Sequence, residues 1–401
     1  MIKRNIILLK WYYFFWRFRP LSALLMIYFY QITQSYATAA GVFSIFNIAY
    51  SIVKIPGGLL SDEFGRRKII IIAGIFLVIS FILMALAGNI NLVWILYLSS
   101  VLWGTSEALL SGATEALMFE TTEELKIKNG FKGLYAKSMF SDQTGCAFGA
   151  LFATCFLSMF SLRWLAWFSV LPSLCQLGLS LFIVEPKKTQ KKISMKSNLF
   201  LSLKEIWHNK KLRFYVGADI LFSTLGDTSH RFEVVYFQTL VSDWIITLTR
   251  FLKHICGMLG SLLTPLLNKL SSPKIYFGSI TINLFIRISG VMLNNICTPF
   301  VNAFINFFYV TASSAKADIL QNLFSSESRA TSRSIILFIK GLLMALVMFL
   351  VGIFSDMYGP RMVMVLFILI RVLILGIICF MAKKHLNLFI IQEKTKTNHF
   401  Q

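Results

Sequence analysis

The chain has 401 residues, of which 56% are hydrophobic and 14% are charged, and its formal net charge is +21. A soluble globular protein of this length would need more polar surface to cover its core, so that class is excluded. Repeated long apolar runs instead predict helices that cross a membrane many times, and they disfavour a β-barrel, whose strands would alternate over about ten residues. The bases fall mostly in short loops and at the chain ends, which favours topology and contact with anionic lipid over nucleic-acid binding.

The first apolar run predicts a span over residues 10–32, with Arg17, Arg19 and Pro20 in its N-terminal half. A shorter span that starts at Pro20 would leave both arginines at the membrane interface. The longer span is favoured because the run that remains after Pro20 is short for crossing a bilayer. No small-residue cleavage site follows the basic N-terminus, so we expect no removed signal peptide.

A loop rich in glycine and charge separates the second and third predicted spans, residues 39–60 and 69–88. Its sequence is Gly58-Leu-Leu-Ser-Asp62-Glu-Phe-Gly65-Arg66-Arg67-Lys68. Three adjacent cations in a short loop indicate the cytoplasmic side of a membrane. Later inner loops are also basic, and this count agrees with an even number of spans, so the sequence predicts a cell-membrane protein with both termini in the cytoplasm.

Later apolar runs predict further spans at residues 92–118, 138–158, 163–184, 213–240, 244–267, 275–294, 298–322, 334–354 and 361–382. A lysine-rich polar segment lies near the middle of the chain. The sequence thus predicts an all-α integral membrane protein with twelve transmembrane helices in two pseudo-symmetric six-helix bundles. The predicted bundles cover residues 1–184 and 213–401, and a basic cytoplasmic linker at 185–212 joins them.

Two later stretches are compared with the glycine loop. Residues 268–274 fall at the equivalent position of the second bundle, where the bases are kept but the glycines and the acid are lost. A closer match in letters is Gly352-Ile-Phe-Ser-Asp356-Met-Tyr-Gly359-Pro-Arg361. Counting spans places this second match on the outer side, so it is not treated as a functional equivalent.

The pattern Gly-x-Leu-Ser-Asp-x-x-Gly-Arg-Arg after a second span resembles the loop signature of the major facilitator superfamily. Twelve spans with a long basic central loop extend the resemblance over nearly the whole chain. Two further stretches resemble bacterial, efflux-type members: Ser111-Gly-Ala-Thr-Glu115-Ala-Leu-Met-Phe-Glu120 and Ser328-Arg329-Ala330-Thr331.

The resemblance implies two bundles that rock about a central cavity. It also implies a gating loop, in which Gly58, Asp62, Gly65, Arg66 and Arg67 latch the cytoplasmic side while the carrier faces outward. The alternative is that these charges only set the topology.

The function expected from the resemblance is secondary active transport of a small molecule, with efflux of a drug-like or amphipathic compound favoured. The alternatives are uptake of a small metabolite or organic anion, and a non-transporting receptor or scaffold on the same fold. Protons or another ion are the candidate coupling partners, although Ser100 stands where proton antiporters of the family carry an arginine. We expect a monomer surrounded by lipid, with no cofactor and no metal. No enzyme is expected, since the chain has no nucleophile elbow, no His-Glu-x-x-His motif and no phosphate-binding glycine loop.

Ionisable side chains inside the spans are the candidates for cavity and coupling residues, because such groups are costly in hydrocarbon and usually face a partner or a wet cavity. The candidates are Arg17, Glu107, Asp142, Asp227, Arg250 and Arg287. The acids are expected to act on protons or cationic substrates from apolar walls, and the arginines could instead hold an anionic substrate. The structural alternative makes each a member of an ion pair, and places Arg231 and Glu233 at the outer end of span seven.

Span five contains Gly145-Cys-Ala-Phe-Gly149-Ala150, in which small residues recur four apart. This spacing lets two helices approach closely. The span lacks the proline of the family's antiporter motif, so a packing seam is the favoured interpretation.

Overall fold

The computed structural model describes residues 2–127, 130–186, 207–323 and 329–397, and these residues form helices and turns without a strand among them. The first half of the chain contains α1 (Arg4–Arg17), α2 (Leu25–Thr33), α3 (Tyr36–Phe64), α4 (Arg66–Ile90), α5 (Val93–Glu124), α6 (Gly130–Leu157), α7 (Leu162–Phe168) and α8 (Val170–Leu181). The second half contains α9 (Lys210–Gln238), α10 (Asp243–Leu263), α11 (Ser272–Leu293), α12 (Thr298–Ala303), α13 (Ile305–Leu323) and α14 (Arg329–Thr397). Two 3₁₀ turns, Pro20–Leu24 and Thr264–Lys269, complete the helical elements.

Each predicted span coincides with one helix or with consecutive helical pieces. Predicted spans eleven and twelve both lie in α14, whose helical geometry is interrupted at Gly359. Gly359 has φ 80° and Gly65, between α3 and α4, has φ 98°, a region that favours glycine because a side chain would be strained there. The lysines predicted for the linker at 187–206 lie outside the described residues, as do the side chains of Asn268 and Lys269.

The first span is not one continuous helix. α1 ends at Arg17, Arg19 has extended backbone angles (φ −126°, ψ 94°), and a 3₁₀ turn begins at Pro20. Proline lacks an N–H and disfavours helical geometry in the residue before it, so the helix breaks where the chain meets Pro20. The prediction of a longer span is right in placing Arg19 inside the bundle, where it is 4% exposed, but wrong in expecting an unbroken helix.

Six described helical segments are long and apolar enough to cross a membrane by themselves. They are Tyr36–Phe64, Arg66–Ile90, Val93–Glu124, Leu162–Leu181, Ser272–Leu293 and Ser332–Ile378, the last of which is 47 residues long. Segments outside this set either carry several charges, as α9 does, or are broken into short pieces, as around Pro20. The charges that weaken their hydropathy are also the residues that form the interior ion pairs below.

The two ends of the helix bundle differ in charge and in packing. We call the end that carries Gly65 the basic end and the end that carries Asn91 and Gly359 the opposite end. Toward the opposite end, one buried apolar cluster joins residues of both halves, for example Phe43 with Phe237. Toward the basic end, each buried cluster belongs to one half only. Among the described residues, a buried apolar cluster therefore joins the two halves at the opposite end, and none joins them at the basic end.

The glycine seam of span five packs against the break in the first span. A methyl group on Gly145 would lie 2.3 Å from the carbonyl oxygen of Phe14, and one on Gly149 would lie 3.2 Å from the amide nitrogen of Arg19. These contacts support the packing interpretation. The close approach also helps to place Arg19 inside the bundle.

Replacing Gly145 by Ala is expected to destabilise the protein by about 1–3 kcal/mol, because the obstructing atom is backbone and cannot move without shifting α1. Gly178 is a matched control, since it lies within a helix and a methyl group there meets no atom within 4 Å. The Gly178→Ala variant should melt at or slightly above the wild-type temperature. Thermal unfolding in detergent would measure both, and equal behaviour of the two variants would contradict the seam.

Candidate functional site

The glycine loop at the basic end makes ion pairs within its own half. Arg66 forms a salt bridge with Asp62 on the same loop and a second one, of 3.0 Å, with Glu120 near the end of α5. Ser61 accepts a further hydrogen bond from the Arg66 guanidinium at 3.0 Å. Arg66 is thus held by partners on α3 and α5.

A carboxylate caps the helix that follows this loop. Glu185 accepts hydrogen bonds from the backbone N–H groups of Arg66 and Arg67, each at 2.7 Å, through its two separate oxygens. The free N–H groups of a helix N-terminus and its dipole favour a negative charge in this position. Glu185 therefore fixes the start of α4 to the segment that follows α8.

A similar cap at the opposite end joins the two halves of the chain. Asp356 of α14 accepts from the N–H groups of Tyr36 and Ala37 at the start of α3, at 2.7 and 2.9 Å, and from the Ser35 hydroxyl at 2.7 Å. Gly352 allows the approach, because a methyl group there would lie 2.7 Å from the Ala37 Cα. The second match to the glycine loop is thus at the opposite end, as span counting predicted, but it makes an inter-half contact that the sequence did not predict.

Glu107 lies in a cage of donors. Arg19 Nη1 lies 2.8 Å from its Oε1, and the indole N–H groups of Trp16 and Trp103 donate to the same oxygen at 3.0 and 3.3 Å. Arg19 and Glu107 side chains are 5% and 12% exposed. Glu107 is therefore a paired, buried carboxylate, and the expectation of an apolar wall around it is wrong.

The other two candidate acids also have cationic partners. Asp142 of α6 pairs with Arg17 at 2.7 Å, and Asp227 of α9 pairs with Lys340 of α14 at 2.6 Å. Asp227 is the most accessible of the three candidate acids, with 31% of its side chain exposed. An opposite charge at this distance stabilises the ionised carboxylate, so neither acid sits in an apolar wall.

One carboxylate in the second half has three cationic partners. Glu233 Oε1 lies 2.5 Å from Lys253 Nζ and 3.0 Å from Arg250 Nη1, and its Oε2 lies 3.3 Å from Arg287 Nη1. His230, one turn earlier on α9, contacts Lys253, Arg250 and Glu233 within 3.0 Å. We call these five residues the Glu233 cluster. Glu233 is fully buried, although it lies only five residues before the end of α9 at Gln238.

The Glu233 cluster lies against the boundary between the halves. Its neighbour Arg231 stacks on Phe43 and Phe46 of α3, with its guanidinium carbon 4.6 and 5.3 Å from the two ring centroids. The residue after Lys253 is His254, whose Nδ1 lies 3.3 Å from the side-chain oxygen of Gln143 on α6. Residues on both sides of the cluster therefore contact the first half.

The sequence identified Arg250 and Arg287 as candidate site residues, but it did not identify Glu233, the acid that both of them contact. The six candidates do not form one site: Arg17, Glu107 and Asp142 lie in the first half, and the others occupy two clusters in the second. Glu233 could have been found from its spacing, because Asp227, His230 and Glu233 recur on one face of α9. Asp356 carried no such signal, since its partners are one hydroxyl and two backbone N–H groups that lie 319–321 residues away.

The chain matches a family model described as Major Facilitator Superfamily over residues 12–391. No curated protein sequence matches the chain significantly. The match to the family model spans both halves and the central segment between them.

Solved transporter structures share the fold at low sequence identity. The nucleoside transporter NupG is similar with a TM-score of 0.74 and 14% identity, over 94% of this chain and 99% of that one. A D-xylose–proton symporter gives a TM-score of 0.71 and 13% identity, over 93% and 96%. A bacterial homolog of the human lysosomal transporter Spinster, solved in an inward-facing and unoccupied conformation, gives 0.74 and 14%, over 96% and 98%. The fold common to these structures implies twelve membrane helices in this chain, of which six are evident from hydropathy alone.

Proposed function

The chain belongs to the major facilitator superfamily, whose members are transporters and not enzymes, and from this premise we propose that it carries a small polar solute by alternating access. The observation that carries the proposal is the asymmetric contact between the halves. At the opposite end they share a buried cluster and the Asp356 cap, whereas the buried clusters toward the basic end are separate. A carrier in this state is open toward the basic end.

The basic end is the cytoplasmic end in this proposal, in the cell membrane. Short loops rich in lysine and arginine are retained in the cytoplasm, and the loop at Arg66–Lys68 lies at this end. The one inter-half salt bridge near the basic end among the described residues joins Arg333 to Glu115 at 3.6 Å, with both side chains substantially exposed. A contact of this kind contributes little, so it leaves the halves free to separate there.

The charged interior favours a polar solute over a drug-like one. Arg17, His230 and Asp227 each expose about a third to a half of their side chains (45%, 47% and 31%) although they lie at the level of the predicted spans. Polar groups exposed at membrane depth mark a wet cavity and not a lipid-facing surface. This favours the small-metabolite alternative over efflux of an amphipathic compound, and solved neighbours named for nucleosides and D-xylose are compatible with it.

Asp227 is the best-placed candidate for coupling to protons or another cation. It is more exposed than Asp142 or Glu107, and its pair with Lys340 joins α9 to α14. Protonation of Asp227 would release Lys340 and loosen α9 from α14, which is a local change that a rocking motion could use.

Flux into sealed vesicles tests the proposal. Purified protein in proteoliposomes should move at least one small polar solute down its gradient, in either direction, and an imposed ion gradient should accelerate that movement. A receptor or scaffold on the same fold would bind without any flux. Absence of flux for neutral, anionic and cationic solutes alike would contradict the carrier.

Replacing Asp62 by Asn is expected to reduce transport strongly without lowering the amount of protein in the membrane. Asp62 pairs with Arg66 in this structure, which the proposal takes as the state open to the cytoplasm. In the proposed mechanism the loop latches the cytoplasmic side in the other state, so the change shifts the equilibrium between the two. Glu63→Gln, at the exposed neighbouring position, is the matched control. Normal transport by the Asp62→Asn variant would leave these charges with a topological role only.

A further inference from the structure

The Glu233 cluster carries more positive charge than its acid can balance. Arg250, Lys253 and Arg287 all converge on one carboxylate, which leaves two formal positive charges in a site where each of these side chains is less than a tenth exposed. Burying an uncompensated cation costs several kcal/mol. An ion pair that served only to hold helices together would not need two surplus cations.

Buried arginine N–H donors without a hydrogen-bond partner lie in the same region, and they too suggest a missing anionic partner. The Nε atoms of Arg250 and Arg287 are buried without a hydrogen-bond partner, and so are Nε and Nη1 of Arg371, which lies over the ring of Phe222. Arg231 has a buried Nη1 without a partner as well. Neither Arg231 nor Arg371 forms a salt bridge with a described carboxylate. Donors of this kind are normally satisfied, so their number indicates a partner that is not part of the chain.

The cluster is reachable from the space between the halves. His230 is 47% exposed and covers Arg250 and Lys253, which contact its ring nitrogens at 2.8–3.0 Å. Rotation of the imidazole would open a path to both cations. Facing it from the first half is a polar chain in which Arg17 binds Asp142, and the adjacent Gln143 lies within 3.3 Å of His254.

We propose that the carried solute has an oxyanion group, a carboxylate or a phosphate, and that Arg250, Lys253 and Arg287 bind this group beside Glu233. The inference rests on the proposed carrier function and names the chemical class of its substrate. Arginine suits the role because its planar fork binds two oxygens at once. Glu233 occupies part of the site in the empty carrier, where it partly neutralises the cations and competes with the solute.

Because Glu233 competes with the solute, a variant without its negative charge should bind anions more tightly than the wild type. Glu233→Gln removes the internal carboxylate and keeps a similar shape, so the three cations are left without their acid. The purified variant should melt below the wild type without ligand, and inorganic phosphate or succinate should restore its stability at concentrations on the order of tenfold lower than those that stabilise the wild type. Glucose and tetraethylammonium, at matched ionic strength in sodium chloride, serve as the neutral and cationic probes and should have no such effect.

A second variant tests the oxyanion site independently of Glu233→Gln. Arg250→Gln should weaken stabilisation by either anion on the order of tenfold, whereas Lys316→Gln, which breaks the 3.1 Å pair with Asp219 elsewhere in the second half, should leave it unchanged. Anions that stabilise the wild type, Glu233→Gln and Arg250→Gln equally would overturn the proposal, as would no anion effect on any of them. Succinate acting alone, or phosphate acting alone, would decide which oxyanion is carried.

Flux separates this inference from the function on which it rests. Movement of glucose or tetraethylammonium, but of neither anion, would keep the carrier and overturn the oxyanion site. Movement of no solute at all would overturn the carrier itself.

Discussion

Replacing Glu107 by Gln is expected to destabilise the protein by about 3–5 kcal/mol, because it leaves the buried Arg19 guanidinium without a counter-charge. Two of the three Arg19 guanidinium nitrogens, Nε and Nη2, already lack a hydrogen-bond partner. The described contacts therefore offer no other group to balance the Arg19 charge once Glu107 is neutral. The variant should give less folded protein and a melting temperature several degrees lower in detergent. Gln keeps one oxygen that can accept from Trp16, Trp103 and Arg19, so the expected loss comes from the missing negative charge and not from these hydrogen bonds.

Glu115 provides the matched control for this effect. It lies two turns further along α5 and pairs with Arg333 at 3.6 Å, but its side chain is 38% exposed. Glu115→Gln should cost no more than about 1 kcal/mol, as for other exposed pairs. If Glu107→Gln instead retained wild-type stability and altered only the pH dependence of flux, Glu107 would be a coupling acid and not a structural one.

The second large effect is expected at Asp356. Replacing it by Ala removes three hydrogen bonds that join α14 to the start of α3, and these bonds hold only the state that is closed at the opposite end. A loss of about 2–3 kcal/mol of this differential stability would shift the ratio of the two states by roughly 30- to 150-fold toward opening at that end. Asn keeps one acceptor oxygen, so Asp356→Asn should have an intermediate effect.

Spin labels on the two halves would measure the shift. With the six native cysteines replaced, Gln31→Cys and Ser242→Cys place labels at exposed positions of the opposite end, one on each half. The distance distribution between them should gain a longer component in the Asp356→Ala variant. Asp243→Asn is the control, since Asp243 accepts from Gln238 within its own half. An unchanged distribution in Asp356→Ala would mean that the apolar cluster alone keeps this end closed.

The Asp356 and Asp62 predictions have opposite signs. Loss of Asp356 is expected to favour the state open at the opposite end, and loss of Asp62, if the proposed latch is correct, the state open at the basic end. The two segments share the letters Gly-x-x-Ser-Asp-x-x-Gly and a positive-φ glycine between two helices. Combining the two substitutions should therefore return the equilibrium toward its wild-type position, provided both sites act on the same pair of states.

The sequence by itself determined the helices, their order and the family. Apolar runs of membrane length predict where each helix lies, and Pro20, Gly65 and Gly359 act locally through φ and through the missing proline N–H, so the breaks at these positions can be understood from the chain alone. The glycine loop is equally local, since its Asp62–Arg66 pair is four residues apart on one turn.

Only the tertiary structure decided which charges meet. Arg19 and Glu107 are 88 residues apart, and Lys253 and Glu233 lie on different helices. Asp356 binds backbone N–H groups, which every residue except proline has, so no residue type in the sequence marks them as its partners. Hydropathy shows that a buried charge needs a partner but not which helix supplies it, because that depends on how distant helices pack. For the same reason the sequence left open whether the acids inside the spans are paired, where the structure has paired acids and a surplus of buried cations around Glu233.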